Sequence, residues 1–370
     1  RGALSADLDA FRDEAVAFLD KAQAAGTACP AYGAILPPAL HDQARAWQRE
    51  MADGGFAGLH WPVEHGGRGL SRAHTGVWLE ECARAQVQPY LNLQGLVLAG
   101  EAILRSGTDE QRVRFLPPTL TGDLLWCQLF SEPGAGSDLT SLTTSAVADG
   151  DRYVIDGTKI WSSNAQFAEY GILLARTDAG QRGHRGISFF LLDMATPGVD
   201  VRPIRQMTGD QEFCEVFLDG VAIPAEGRLG PENEGWRVAT EVLLDERGSG
   251  AAGLVSLERR LDHLRSLAGD PAHRDALLRL YVRGQALRAL LLRGGDGGPA
   301  AASSAKLART ELEFDIEVVL ASRRGADALL AGPATDRFLY APGMRIAGGT
   351  SEIQRNIIAE RVLGLPREPK

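Results

Sequence analysis

The hydrophobic period of this chain changes twice, and no other feature constrains its fold as strongly. From Ser5 to about Asp123 apolar residues recur at three- and four-residue intervals, Leu8, Phe11, Val16 and Leu19 among them, the spacing of a helix face. Ser5 or Asp7 stands where a cap for the first turn belongs. Trp61-Pro62-Val63-Glu64-His65-Gly66-Gly67-Arg68-Gly69 interrupts the helices as a Pro/Gly-rich loop, and His65 is read as a loop histidine without a catalytic role. Helical spacing resumes at about Ser71 and over 91–105. Gly107-Thr108-Asp109-Glu110-Gln111 then reads as a helix stop followed by a new cap.

Near Asp123 the period shortens. Strands are expected at Trp126–Phe130, Arg152–Ile155, Gly171–Arg176, Gly186–Asp193, Val199–Ile204 and Cys214–Leu218. Asp156-Gly157 gives the best hairpin signal, between Tyr153-Val154-Ile155 and Lys159-Ile160-Trp161. Short strands so spaced imply a compact β-barrel or sandwich, with Pro224 and Gly230 punctuating its exit. From Gly235 helical spacing returns, at about 235–268, 272–293, 303–330 and 351–363, with a Gly/Pro/Ala-rich loop over 294–302. An α+β chain follows: a helical domain over 1–123, a β domain over 124–230 and a helical domain over 231–370.

Composition narrows the ligand classes. A formal net charge of −9 argues against a phosphate-backbone partner, so no nucleic-acid role is expected. Cys29, Cys82, Cys127 and Cys214 form no CxxC pair, and the histidines do not cluster at ligand spacing, so neither a metal site nor a disulfide framework is expected. No apolar run reaches the roughly 20 residues of a membrane helix. Arg1-Gly2-Ala3-Leu4 lacks the apolar core of a signal peptide and an initiator methionine, which suggests a trimmed start and a cytoplasmic location.

Within this frame one loop carries chemistry: Leu129-Phe130-Ser131-Glu132-Pro133-Gly134-Ala135-Gly136-Ser137-Asp138. Glycines there let the backbone approach a ligand closely, while Ser131, Ser137 and Asp138 bring polar oxygens. Lys159-Ile160-Trp161-Ser162-Ser163-Asn164 follows downstream, and Gly348-Gly349-Thr350-Ser351-Glu352-Ile353-Gln354-Arg355-Asn356 lies near the end. In this order and at these separations, the three segments resemble the acyl-CoA dehydrogenase family of flavoproteins, over nearly the whole chain. That resemblance implies a helical N-terminal domain, a middle β-barrel and a C-terminal four-helix bundle.

It also implies FAD as cofactor. The segment Gln128, Phe130, Ser131, Gly136 and Ser137 would run beside the isoalloxazine ring, with Trp161, Ser162 and Ser163 closing its other side. A donor near the ring nitrogen that gains charge needs no reorganisation if it is already aimed. Trp161 is either a ring-packing aromatic or an ordinary strand-end core residue. Ser137 would lie where flavin and substrate meet. Gly349, Thr350 and Glu352 precede or open a helix whose N-terminal donors suit an anionic cofactor.

The base stands elsewhere than usual. Many family members carry a glutamate immediately before the Gly-Thr pair; here that position is Gly348, which cannot take a proton. A second location in the family lies on the helix opening the C-terminal domain, just before an arginine, and this chain reads Leu243-Leu244-Asp245-Glu246-Arg247 there. Trp236, Ala239, Leu243, Glu246, Gly250, Gly253, Leu257 and Leu261 fall on one face, so Glu246 is a carboxylate on an apolar stripe, whereas Asp245 shares another face with Glu241. Desolvation there raises a carboxyl pKa toward neutrality, as a general base requires; pairing with an arginine for packing is the alternative. Arg247 would position the substrate.

Two family features are missing: an Arg-x-x-Phe-Gly motif, with 259–274 in its place, and a Gln/Gly-rich loop, replaced by 325–344. Both normally complete the adenine end of the cofactor across a subunit boundary, so no adenine-end residues are assigned from these regions. A homo-oligomer, dimer or tetramer, is favoured over a related second subunit because every flavin-ring and base element is present in this one chain. The expected activity is dehydrogenation of an acyl-CoA to the 2,3-enoyl-CoA, with electrons passed to an electron-transfer flavoprotein. The rival readings are a flavin monooxygenase or oxidase on the same fold and a non-catalytic partner subunit.

Overall fold

The computed structural model describes residues 2–33, 35–246, 250–269, 271–293 and 298–366. Contacts divide the chain into two compact units, Arg1–Gln206 with Asp210–Glu246, and Met207–Gly209 with Arg247–Lys370.

The first unit opens with helices α1 (Gly2–Ala25), α2 (His41–Asp53), α3 (Arg72–Ala85), α4 (Gly100–Ser106) and α5 (Asp109–Thr121). Helix α1 begins before both expected caps, so neither Ser5 nor Asp7 caps it; Asp7 instead pairs with His74 at 3.1 Å. Its buried stripe is Phe11, Ala15, Leu19 and Ala22, while Val16 is turned out to solvent. At α5 the expectation holds in full. Thr108 Oγ1 accepts from the Gln111 amide at 3.2 Å, and Gln111 Oε1 accepts from the Thr108 amide at 3.0 Å, a complete capping box. The Gln111 side chain also donates to the carbonyls of Glu226 (2.7 Å) and Arg228 (3.1 Å), so a helix start and the far end of the β region share one amide.

The β region comprises β1 (Trp126–Leu129), β2 (Ser145–Asp149), β3 (Arg152–Ser163), β4 (Tyr170–Arg176), β5 (Ile187–Asp193), β6 (Val199–Pro203), β7 (Phe213–Pro224) and β8 (Arg228–Leu229). They form one sheet in the order β6-β7-β3-β2-β4-β5-β8, with β1 added parallel to β4. Strand β4 is buried on both sides, which explains its unbroken apolar run. Ile172 and Leu174 join the core shared with the helices, and Leu173 and Ala175 join a second core enclosed by the curving sheet with Tyr153, Phe190 and Val216. Helix α6 (Gly235–Glu246) adds Val238, Ala239 and Val242 to the helix-side core.

Three local expectations are corrected. Asp156-Gly157 is not a hairpin turn: β3 runs through it, and the hairpin closes at Gly150-Asp151 between β2 and β3. Gly157 is needed for close packing, since a Cβ there would lie 2.4 Å from Thr144 Oγ1. Strand β2, short and made mostly of small residues, is not among the expected strands. Residues 298–302, read as part of a loop, already belong to a helix.

The second unit holds α7 (Gly250–Leu267), α8 (Arg274–Arg293), α9 (Gly298–Arg324), α10 (Pro333–Met344) and α11 (Ser351–Arg361). Leu257, Leu261 and Leu264 of α7 meet Leu277, Leu280 and Leu287 of α8 and Leu312 and Ile316 of α9. Helix α10 falls where no helix was expected; a proline at its first turn costs no hydrogen bond there. Among the described residues no helix is long and apolar enough to cross a membrane, and no His/Cys/Asp/Glu group could hold a metal.

Candidate active site

Strand β1 delivers the chain into the Ser131 loop. Glu132 and Ala135 exchange both backbone hydrogen bonds at 3.0 Å, leaving Pro133 and Gly134 at the corner of a tight exposed turn. A Cβ at Gly134 or Gly136 would meet nothing within 4 Å, so this side of the loop is open. Ser137 and Asp138 are exposed beyond it, with Asp138 accepting from Thr140 and Ser141. The Phe130 ring is not on the open side. It is buried edge-on to Phe189 at 5.8 Å, so only the backbone of Phe130 can face a ligand. Gln128, on β1, is half-buried.

The loop is tied down from below by an ion pair to which its sequence motifs assign no role. Lys159 Nζ, wholly buried, donates to Glu132 Oε1 at 2.8 Å and to the Phe130 carbonyl at 3.2 Å. The Glu132 carboxylate also accepts from the amides of Thr143 (2.7 Å) and Thr144 (2.9 Å) and from Thr143 Oγ1 (2.9 Å). Burial alone would raise the Glu132 carboxyl, but the Lys159 ammonium and these donors outweigh it and bring it to about 2. For Lys159 burial prevails over the pull of Glu132, and the ammonium falls to about 8. The signal was available: positions 153, 155 and 159 share the inward face of β3, and a lysine there demands a buried partner.

Two residues further along, β3 breaks register. Lys159 pairs with Val216 and Ser162 with Cys214, so Ile160 and Trp161 together oppose Glu215, a β-bulge. Trp161 takes φ +60° at this bulge, a left-handed conformation rare for so bulky a residue and costing about 1–3 kcal/mol. Its indole is 56% exposed, touching Phe213 edge-on at 5.8 Å, which rules out the core-aromatic reading. Ile160 N–H donates to the Ser131 carbonyl at 2.9 Å, so the two motif segments are joined. Ser162 is on the opposite side from Trp161, fully buried, and its hydroxyl has no partner; Ser163 is half-buried. An upturned indole beside an open glycine turn fits a planar ring system, whose face the indole can cover.

The third segment belongs to the second unit. Thr350 caps α11, its Oγ1 accepting from the Ile353 amide at 3.2 Å, after Gly348 and Gly349 at φ +64° and +94°. Lys306 Nζ donates to the Gly349 carbonyl at 2.7 Å, and Gln354 Nε2 to that of Gly348 at 3.0 Å. Glu352 is exposed in the first turn, its carboxyl held low by its own amide and by Thr350. Glu246 closes α6, and its side chain, like Arg247, lies outside the described residues. On the stripe through Glu246, Ala239 is buried and Leu243 partly buried in the first unit, and Leu257 and Leu261 are buried in the second.

Comparison with known proteins gives this arrangement its context. Three family models match: acyl-CoA dehydrogenase N-terminal domain over 5–123, middle domain over 127–221 and C-terminal domain over 233–363. Acyl-CoA dehydrogenase IpdE1 of Mycobacterium tuberculosis is 40% identical over 349 residues, covering 89% of this chain and 90% of that protein. Among solved structures, the Tcur3481-Tcur3483 steroid ACAD is 29% identical with a TM-score of 0.82, covering 98% of both chains. The ChsE4-ChsE5 complex of Mycobacterium tuberculosis is 28% identical with a TM-score of 0.81, again covering 98% of both chains. With all three of its regions matched, the chain belongs to the acyl-CoA dehydrogenase family of flavin-dependent oxidoreductases acting on CH–CH groups.

Proposed function

We propose that the protein is an FAD-dependent dehydrogenase that converts an acyl-CoA thioester to its 2,3-enoyl thioester, with Glu246 as the base. The observation that carries this reading is the exposed, strained Trp161 indole, next in the chain to Ile160, whose amide is bonded to the open Ser131 loop. A bound flavin supplies the acceptor for the β-hydrogen and its electron pair. The chain's own part is to hold that ring and to take the α-proton. Ser131 and Ser163 would offer donors to the ring, Trp161 would pack against it, and Ser137 would lie toward the substrate. Gln128, Gly136 and the backbone of Phe130 would border the same loop; in the second unit, taken by itself, the backbone amides of Gly349, Thr350 and Glu352 at the start of α11 would suit an anionic group. Proton transfer to Glu246 and departure of the β-hydrogen leave the double bond, and Arg247 orients the thioester. Electrons then pass to an electron-transfer flavoprotein.

The word steroid in the name of one structural relative supports a polycyclic acyl group as the substrate class. Two relatives are two-component assemblies by name, which supports a related second subunit as an alternative to the homo-oligomer. The test is direct. Purified protein should be yellow and should bleach anaerobically with a steroid acyl-CoA more readily than with a straight-chain one. A colourless protein that stays apo after incubation with FAD, alone and with a related subunit, refutes the reading. Hydroxylated product in air would move it to the monooxygenases.

A further inference from the structure

The Glu132–Lys159 pair takes no part in the chemistry above, yet it lies directly beneath both motif segments. We propose that Glu132 and Lys159 are a positioning pair, which fixes Ser131 and the upturned Trp161 in the geometry that receives the flavin. The inference rests on the flavin reading of the site.

Stability alone does not account for such a pair, because a buried ion pair can usually be replaced by apolar residues of similar volume without loss. What an apolar replacement lacks is direction. Lys159 Nζ reaches both the Glu132 carboxylate and the Phe130 carbonyl, so the residues on either side of Ser131 are each bonded to one ammonium. Glu132 carries the restraint on to Thr143 and Thr144, at the entry to β2. Three chain segments therefore meet at two side chains, in a buried setting where hydrogen-bond geometry is strongly enforced.

The bulge lies immediately after Lys159, and a strained Trp161 persists only if its surroundings over-determine it. Lys159 anchors the bulge at one end, Ile160 N–H ties its middle to Ser131, and the Ser162–Cys214 pairing anchors the other end. Without the first anchor, β3 can return to regular register, which would turn Trp161 to the opposite face.

The test compares FAD binding with folding. Glu132→Gln/Lys159→Met keeps volume and removes both charges; its single amide oxygen can accept from Thr143 or from Thr144 but not from both, since they donate to different oxygens of the carboxylate. Thr143→Val removes one bond to Glu132 at an exposed position and buries no charge. FAD affinity of the apoprotein is read by flavin fluorescence, the bound geometry by visible circular dichroism, and the fold by thermal melting. The double variant should keep a cooperative melt, lowered by the unsatisfied Phe130 carbonyl and one lost threonine bond, and bind FAD about tenfold or more weakly, with an altered flavin dichroism. Thr143→Val should weaken binding about two- to fivefold with an unchanged melt. Wild-type affinity and dichroism in both variants overturns the proposal. If the double variant does not fold, an unchanged affinity in Thr143→Val overturns it alone. Wild-type protein that binds no FAD would instead indict the flavin reading itself.

Discussion

The amide of Ile160 donates to the carbonyl of Ser131 across 2.9 Å, and this one bond joins two segments far apart in sequence. Ser131 leaves β1 at the end of a strand parallel to β4, whereas Ile160 lies in the bulge of β3. Anything that shifts the bulge therefore shifts the loop.

Trp161→Gly separates strain from function. Glycine adopts φ +60° without steric cost, so the apoprotein should be as stable as the wild type or slightly more so. FAD binding should weaken by about tenfold, because an exposed aromatic face is lost. Isothermal titration beside a thermal melt checks both halves; unchanged FAD affinity would remove Trp161 from the site.

Glu246→Gln keeps the size of the proposed base and removes its function. Reductive bleaching by acyl-CoA should slow by about 10²–10⁴ or more, with flavin and ligand still bound. Stopped-flow absorbance measures this, and near-normal bleaching places the base elsewhere. Gly348→Glu is a less clean counterpart than the sequence suggests, since Gly348 sits at φ +64° and any side chain there is strained.

Acid should expose the Glu132 carboxylate. Its pKa is lowered on folding from 4.5 to about 2, so its contribution to stability is fully present above pH 4.5 and is lost as the pH falls toward 2. Lys159 moves from 10.5 to about 8, so between those values the unfolded chain holds more protons and this group's linkage raises stability with pH. Melting temperatures of the wild type should therefore drop more steeply below pH 4.5 than those of Glu132→Gln/Lys159→Met. Parallel acid limbs would refute it.

Gly157→Ala tests the corrected turn. Its Cβ would lie 2.4 Å from Thr144 Oγ1 and 2.8 Å from Thr144 Cα, and backbone cannot step aside as a side chain can. A loss of about 1–3 kcal/mol is expected from the urea midpoint. Gly134→Ala, which meets nothing within 4 Å, serves as the control and should stay within about 0.5 kcal/mol.

Much of this was legible in the sequence where local chemistry and tertiary environment agree. The capping box at Thr108–Gln111 needs only its own residues, and the double burial of β4 writes an apolar run. Asp156-Gly157 misled because a glycine required by Thr144 looks the same, in sequence, as a glycine required by a turn. Helix α10 is hidden by its Pro, Ala and Gly content, and β2 by its shortness and its alanines, which favour strands weakly.

Within the candidate site, the two segments picked out by pattern do meet, through Ile160 and Ser131. The restraint beneath them was missed. Glu132 and Lys159 lie in separate motifs, and nothing in either motif says that the other supplies its counter-charge. The rotation of Trp161 into solvent was unreadable for a related reason, since a bulge arises from pairing between strands.

Gln111 serves the first turn of α5 and two carbonyls beyond β7 at once, and the helix-side core likewise draws on Phe115 and Leu116 together with Ile172, Leu174 and Phe189. The N-terminal helices are therefore not a module that evolution or an engineer can lift out. Cut away near residue 123, they would leave one face of β4 bare and themselves without a floor. Helices and sheet stand or melt together, and a chimera that exchanges one must carry the other with it.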